Sequence, residues 1–326
     1  MLKQIIEVLF LNLLIVIIIG RPLIKLLYIL KAGQAIREDG PQNHQKKKGT
    51  PTMGGIIFIV PALLITLALT YSSKISWLIV FTIFAFMFLG WLDDFLIIKK
   101  KNNKGIPGNW RLLFEVIFGV IFSIGIILSN HNPVIKIPFS SQILTFESVE
   151  WIYVIFIVLV MTSCTNALNI TDGLDGLLTG LSAIGISGLV ILLQIQNNND
   201  PLMLTACILG AAIVGGCIGF LWFNSNPASV FMGNTGSLGL GAIVAVIAII
   251  GHLELWVIIL GFVFVMETLS VIIQVIYFKV TKGKRIFKMS PLHHHFELSG
   301  WAEPKIVARF YLIGLICLFI TILGYK

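Results

Sequence analysis

Charge is scarce in this chain. Only 12% of its 326 residues are Asp, Glu, Lys or Arg, against about 25% in soluble domains. The apolar share is 57% and the mean hydropathy +0.97. A soluble globular enzyme and a disordered chain are both excluded, because most of this surface must be solvated by lipid. Cysteine is scarce too. The four present, Cys164, Cys207, Cys217 and Cys317, fall in or beside apolar runs with no CxxC spacing. That excludes a disulfide framework or a zinc site and leaves small core hydrophobes. No internal repeat or low-complexity segment is visible, and no span carries a recognisable break. An inverted-repeat transporter or flippase is therefore disfavoured.

The charge that is present is one-sided, with 23 Lys and Arg against 15 Asp and Glu and a net charge of +8. In so apolar a chain this is the positive-inside bias, and no nucleic-acid partner is expected. Apolar stretches near 4–26, 53–71, 75–97, 112–129, 150–168, 177–195, 202–222, 236–251, 255–278 and 306–324 are long enough to span a bilayer. The first follows Lys3 and ends at Arg21-Pro22 with no small-residue cleavage site, so it reads as a retained span. Loops 27–52, 98–111 and 279–305 carry sixteen basic residues against four on the opposite side. The fold class is thus an all-α polytopic membrane protein of about ten helices. It forms one integral domain over 1–326, with basic loops cytoplasmic and both termini outside. The one long outer loop, 130–149, is β-rich at Val134–Phe139 and suggests a short hairpin limited by Pro138.

The acidic residues carry the chemistry. Asp93 and Asp94 end the third span, Asp172 and Asp175 follow the fifth, and Glu267 lies inside the ninth. Carboxylates at these depths are costly unless they line a hydrated cavity or meet a cation. Adjacent residues on a helix point about 100° apart, so one of Asp93 and Asp94 should face substrate or metal while the other is held by protein partners. Asp172 and Asp175 share a face if their segment is helical, although the neighbouring glycines and Asn169 make a turn entering a helix equally admissible. Segment 224–241 runs from an Asn-Pro turn into a Gly/Ser/Thr cluster that opens the eighth span. Gly233 and Ser237 there suit close backbone approach to a phosphate at a helix N-terminus, whereas Gly239 and Gly241 suit span packing. Glu267 and Gln274, seven apart, share a face and should point inward. His293-His294-His295 cannot all reach one ion from a regular helix. Phe231, in a polar Gly-rich loop, suits base stacking.

Taken together, Lys48–Gly55, Leu92–Phe95, Asn166–Leu177, Asn224–Gly241, Glu267–Gln274 and Gly283–Glu297 resemble the polyprenyl-phosphate N-acetylhexosamine-1-phosphate transferases. The His-His-His-Phe-Glu form resembles the phospho-N-acetylmuramoyl-pentapeptide transferases more than their GlcNAc-phosphate relatives. The resemblance covers nearly the whole chain in order. It implies a multi-pass protein of the bacterial plasma membrane with its cleft at the cytoplasmic face. The implied reaction moves phospho-MurNAc-pentapeptide from UDP-MurNAc-pentapeptide to undecaprenyl phosphate, giving lipid I and UMP, with Mg²⁺ as cofactor. It also implies a homodimer and sensitivity to nucleoside antibiotics of the tunicamycin or muraymycin type. Carried over by position, Asp93 resembles the proposed base, with Asp94 beside it and His293 among the catalytic residues. Lys47, Thr52, Lys101, Asn169, Asp172, Asp175, Asn224, Phe231, Gly233, Ser237, Gln274 and His294 resemble nucleotide- and phosphate-contacting positions, Phe231 by stacking on uracil.

Two positions depart from the family pattern. Asn234 stands where an Asp is expected to bind Mg²⁺, so the metal set would be Asp93 with a neutral amide oxygen. Ile97 stands where a Lys is usual. A GlcNAc-1-phosphate transferase, or a form that binds but turns over weakly, therefore stays open. With Asn234 no nucleophile exists at that position, which leaves single displacement by the lipid phosphate.

Overall fold

The computed structural model describes residues 2–30, 47, 49–100, 105–129, 131–196 and 200–325. Lys48 and Lys101, together with the loop cations Lys31, Arg37, Lys46 and Lys104, lie outside the described residues. The helices are α1 (Leu2–Ile29), α2 (Gly55–Thr70), α3 (Lys74–Lys100), α4 (Gly108–Ile127), α5 (Glu150–Thr171), α6 (Leu177–Gln196), α7 (Pro201–Asn224), α8 (Gly233–Ile250), α9 (Trp256–Leu260), α10 (Phe262–Val280), α11 (Leu292–Glu297) and α12 (Glu303–Gly324). Among the described residues nine of these are long and apolar enough to cross a membrane, and α2 is a shorter apolar helix of 16 residues. All overlap the stretches read from hydropathy. Strands β1 (Val134–Lys136) and β2 (Ile143–Thr145) pair antiparallel in the loop between α4 and α5, with Ile135 opposite Leu144. The ladder stops before Pro138, which cannot donate to it.

The ninth span differs from expectation. It is two helices, α9 and α10, meeting at Gly261, whose φ of −93° and ψ of 22° leave the helical basin. Gly261 keeps its own backbone hydrogen bonds on both sides, donating to Val257 O at 2.7 Å and accepting from Val265 N at 3.0 Å. The break is therefore a kink centred on this residue. Glycine is common in membrane helices, so an isolated one gave no signal.

The centre of the molecule is α8. Every residue in it except Asn234 is buried, as befits a helix that is apolar all round. Its backbone is approached closely from three sides. Gly90 of α3 lies on the main chain of Asn234, Gly55 of α2 on that of Gly236, and Gly241 lies on the main chain of Thr165 in α5. A methyl group at any of the three glycines would overlap backbone, which cannot step aside. Further out, α1 is pinned by Asn12, buried at mid-span, whose amide donates to Ala212 O at 2.7 Å and Phe58 O at 3.3 Å. The start of α7 follows directly from Asp200-Pro201. The Asp200 carboxylate caps Leu202 N at 2.9 Å, and Pro201 occupies a first-turn position that needs no donor. All four cysteines are buried and free, as composition suggested.

Candidate active site

The N-terminus of α8 organises the site. A helix start leaves free N–H groups and a partial positive charge. Here the cap comes from another helix. The Asp94 carboxylate of α3 accepts from Asn234 N at 3.0 Å, Thr235 N at 2.9 Å and the Thr235 hydroxyl at 2.7 Å. Gly233 precedes them with φ +72°, a left-handed backbone suited to glycine. Asp94 is thus committed to structure.

Asp93, one residue earlier, points elsewhere. Its Oδ1 accepts from Ile106 N, and its Oδ2 accepts from the Asn234 side-chain nitrogen at 2.6 Å. A carboxylate only accepts, so the Asn234 amide turns its oxygen away. That oxygen accepts from Asn169 Nδ2 at 2.6 Å, and the same Asn169 nitrogen reaches Ser237 Oγ at 2.9 Å. Asp93, Asn234, Asn169 and Ser237 form one chain of hydrogen bonds across α3, α8 and α5. Thr52 is buried beside Gly233, and its hydroxyl has no partner among the described residues.

A second cluster lies across the Asp172–Gly176 turn between α5 and α6. Asp175 accepts from Lys47 Nζ at 2.7 Å, from Asn226 Nδ2 at 3.1 Å and from Ala228 N at 3.1 Å. Glu303, at the start of α12, accepts from Lys47 Nζ at 2.7 Å, Asp175 N at 2.7 Å and Asn226 Nδ2 at 3.2 Å. Burial works against the Lys47 charge, but the two carboxylates outweigh it and raise its pKa. Asp172 caps α5. Its carboxylate makes no hydrogen bond among the described residues, and burial, with the Asp94 and Asp175 charges nearby, pushes it up to about 7.

The third cluster hangs from α10. The buried Glu267 accepts from His293 N at 3.1 Å and pairs with His293 Nδ1 at 3.1 Å. That leaves His293 Nε2 buried without a partner among the described residues, packed on Gly173 beside Asp172. Gln274 spends both ends on backbone, accepting from Ile286 N at 3.0 Å and Phe287 N at 3.1 Å and donating to Phe287 O at 3.0 Å. His294 pairs with Glu297 at 2.7 Å. In the loop after α7, Asn224 accepts from the Thr179 hydroxyl at 2.7 Å and donates to Val230 O at 3.0 Å. Phe231 is half-buried, and its main chain is held by Pro51 O and Gly54 N at 2.8 and 2.9 Å.

The structure thus brings Asp93, Asp94, Asn169, Thr52, Gly233, Asn234 and Ser237 into one centre. Lys47 and Asp175 form a neighbouring one, joined to it through Asp172, and His293 reaches the same turn. Asn224, Gln274 and His294 are occupied with local partners, and Lys101 is not described. The hydrogen bonds and ion pairs of these three clusters join parts of the chain that are far apart in sequence, from Lys47 to Glu303.

Residues 76–252 match the model for glycosyl transferase family 4, and residues 47–59 match the first phospho-N-acetylmuramoyl-pentapeptide-transferase signature. A phospho-N-acetylmuramoyl-pentapeptide-transferase of Listeria innocua is 43% identical over 313 residues, 94% of this chain and 94% of its own length. One from Rickettsia bellii is 42% identical over 323 residues, 95% of this chain and 89% of its own. The chain belongs to the phospho-N-acetylmuramoyl-pentapeptide transferase family.

In this pentapeptide-transferase framework several partners were invisible in the sequence. Glu303 reads there as an ordinary acidic residue in a first helical turn. Asn226 reads as part of a turn, and Ile106 contributes only its main chain. The partners of Asn166 are also new. It donates to Glu115 at 2.7 Å and accepts from Arg111 at 3.0 Å, although Arg111 by itself reads as a loop charge.

Proposed function

We propose that this chain transfers phospho-MurNAc-pentapeptide from UDP-MurNAc-pentapeptide to undecaprenyl phosphate, releasing UMP and forming lipid I at the cytoplasmic face of the bacterial plasma membrane. The observation that carries the reading is Asp93. It is a carboxylate held from two sides at a membrane-helix end, with the Asp172 turn, whose carboxylate has no hydrogen-bond partner among the described residues, and the Lys47 ion pairs in the neighbouring cluster. The GlcNAc-phosphate alternative is not favoured, since the relatives matched are pentapeptide transferases by name.

Phosphoryl transfer asks the protein for positioning and charge stabilisation. In the proposed step an oxygen of the lipid phosphate forms a bond to the sugar-bearing phosphorus, and the bond from that phosphorus to UMP breaks. Asp93 receives the proton of the lipid phosphate. Lys47, fixed by Asp175 and Glu303, offsets negative charge on the donor. His293, oriented by Glu267, presents Nε2 toward the Asp172 turn as a further phosphate or proton contact. Phe231 stands ready to stack on uracil, the moiety through which nucleoside antibiotics would compete. A homodimer is the assembly expected for such a protein.

The donor set suits Mg²⁺. The oxygen donors nearby are the Asp93 carboxylate, the Thr52 hydroxyl and the Asp172 carboxylate of the adjoining turn, the last two without hydrogen-bond partners among the described residues, and Mg²⁺ favours one or two carboxylates plus substrate phosphates. Bound there, it would neutralise pyrophosphate charge. The Asn234 amide oxygen accepts from Asn169 and its nitrogen donates to Asp93, so its present part is to orient Asp93.

The test is UMP release in detergent from the two named substrates across a Mg²⁺ titration, for the chain and for Asn234→Asp. Turnover by both supports the reading and single displacement. Turnover by the Asp form alone means that the chain binds without working. Trapping a phosphorylated enzyme would overturn single displacement.

A further inference from the structure

A cavity of about 500 Å³ opens between the ends of α1 and α7, away from the centre described above. That is the size of an ordinary small-ligand pocket. Arg21 and Lys25 line it, one turn apart on the same face of α1 and both exposed. No acidic residue lines the cavity, and neither cation has an ion-pair partner among the described residues. Phe223 forms the floor. It is buried with its ring pressed against Gly20, where any side chain would overlap it. Tyr28 and Trp222 flank the opening, 52% and 70% exposed. Ser229 adds a hydroxyl, and its N–H holds Phe223 O at 2.7 Å. The groove therefore has two cations, an aromatic rim and an apolar floor at one end of two membrane helices.

This combination differs from loop cations that merely orient a chain. Those stand in water, whereas these two belong to a membrane helix and share a concave surface with interfacial aromatics, the residue types that settle at headgroup level. A free phosphate would use the charges but not the aromatic and apolar part. A zwitterionic lipid would use the apolar part but leave the cations without a net counter-charge. We propose that this groove binds one anionic phospholipid in the leaflet that the catalytic residues face. Its headgroup phosphate sits on Arg21 and Lys25, and its glycerol and upper acyl region rest against Trp222, Tyr28 and Phe223. Ser229 belongs to the loop that continues to Phe231, so the groove and the residue proposed to stack on uracil are carried by one loop.

The experiment uses the full chain in a neutral detergent, titrated with phosphatidylglycerol or phosphatidylcholine, with bound lipids counted by native mass spectrometry. One phosphatidylglycerol should bind in clear preference to phosphatidylcholine. Arg21→Gln with Lys25→Gln should weaken it by roughly thirtyfold, two cations at a membrane surface each contributing, while Lys74→Gln at the opposite membrane face leaves it unchanged. Trp222→Leu, which keeps both charges, should weaken it less. Equal affinity in the double variant and the parent overturns the proposal. So does displacement of the lipid by millimolar inorganic phosphate, which would make the groove a site for a free anion. Loss of UMP release with lipid binding intact would concern the function above and leave this proposal standing.

Discussion

The side-chain amide of Asn234 donates to Asp93 at 2.6 Å while its oxygen accepts from Asn169 at 2.6 Å. An aspartate at 234 would set two carboxylates in contact, and like charges at that distance do not both ionise without a cation or a shared proton. The neutral amide makes the arrangement stable with no metal. Asn234→Asp should therefore melt lower than the parent in chelator and recover as Mg²⁺ is added. Its half-saturating Mg²⁺ should fall about tenfold, since ligand charge tunes affinity for hard cations. Thermal shift against Mg²⁺ measures this without substrate, and superimposed curves for the two proteins would refute it.

The adjacent acids should separate by phenotype. Asp94 satisfies three donors at the head of α8, and an asparagine there has one accepting oxygen instead of two. Asp94→Asn should cost about 2 kcal/mol of stability, the range for losing hydrogen bonds to a charged group. Asp93→Asn should lose less stability but lower UMP release by roughly 10³-fold, as removal of a general base does. Equal melting losses in both, with equal residual activity, would dissolve the distinction.

Glu303 touches three groups that position donor contacts. Glu303→Gln keeps the shape and removes the charge from Lys47. KM for the nucleotide substrate should rise about tenfold, the worth of a charged hydrogen bond, with kcat changed far less. Glu303→Asp should recover part of it. A fall confined to kcat would place Glu303 in the chemistry instead.

The end of the helices opposite the candidate site carries a pH dependence of its own. His131 and His252 stack with ring centroids 4.4 Å apart, and His131 is buried with its Nε2 unpartnered among the described residues. Burial lowers His131 to about 4, and burial with the charges of His131 and Lys136 lowers His252 to about 3. Asp200 pulls the other way on His131. Below about pH 6.5 the unfolded chain takes up protons that the folded pair refuses, so stability falls as pH drops from there through about 4 for His131 and about 3 for His252. His131→Asn with His252→Asn should flatten that part of the melting profile. A profile of unchanged slope would assign the acid sensitivity to other groups.

Much of this was legible in advance, for identifiable reasons. Span positions follow from apolar length, and the gathering of Asp93, Asp172, Asp175 and His293 at one membrane end follows from loop charge. The division between Asp93 and Asp94 follows from helical geometry. What escaped depends on partners far apart in sequence. Nothing local to Glu303 announces Lys47, which lies 256 positions away. Single histidines such as His131 and His252 carry no spacing to interpret. The kink at Gly261 left no mark because an isolated glycine is common in membrane helices.

The glycines against α8 bear on what the chain can tolerate. Gly90 offers the site no side chain, yet it lies on the main chain of Asn234. A single added methyl there would push the Asp93 helix away from the amide that aims it. Gly55 and Gly241 hold two further helices at the same remove. Mutability in this protein is thus set by backbone clearance as much as by side-chain chemistry. Its least replaceable positions include ones with no functional group at all, and an alanine scan that steps over glycine would miss them.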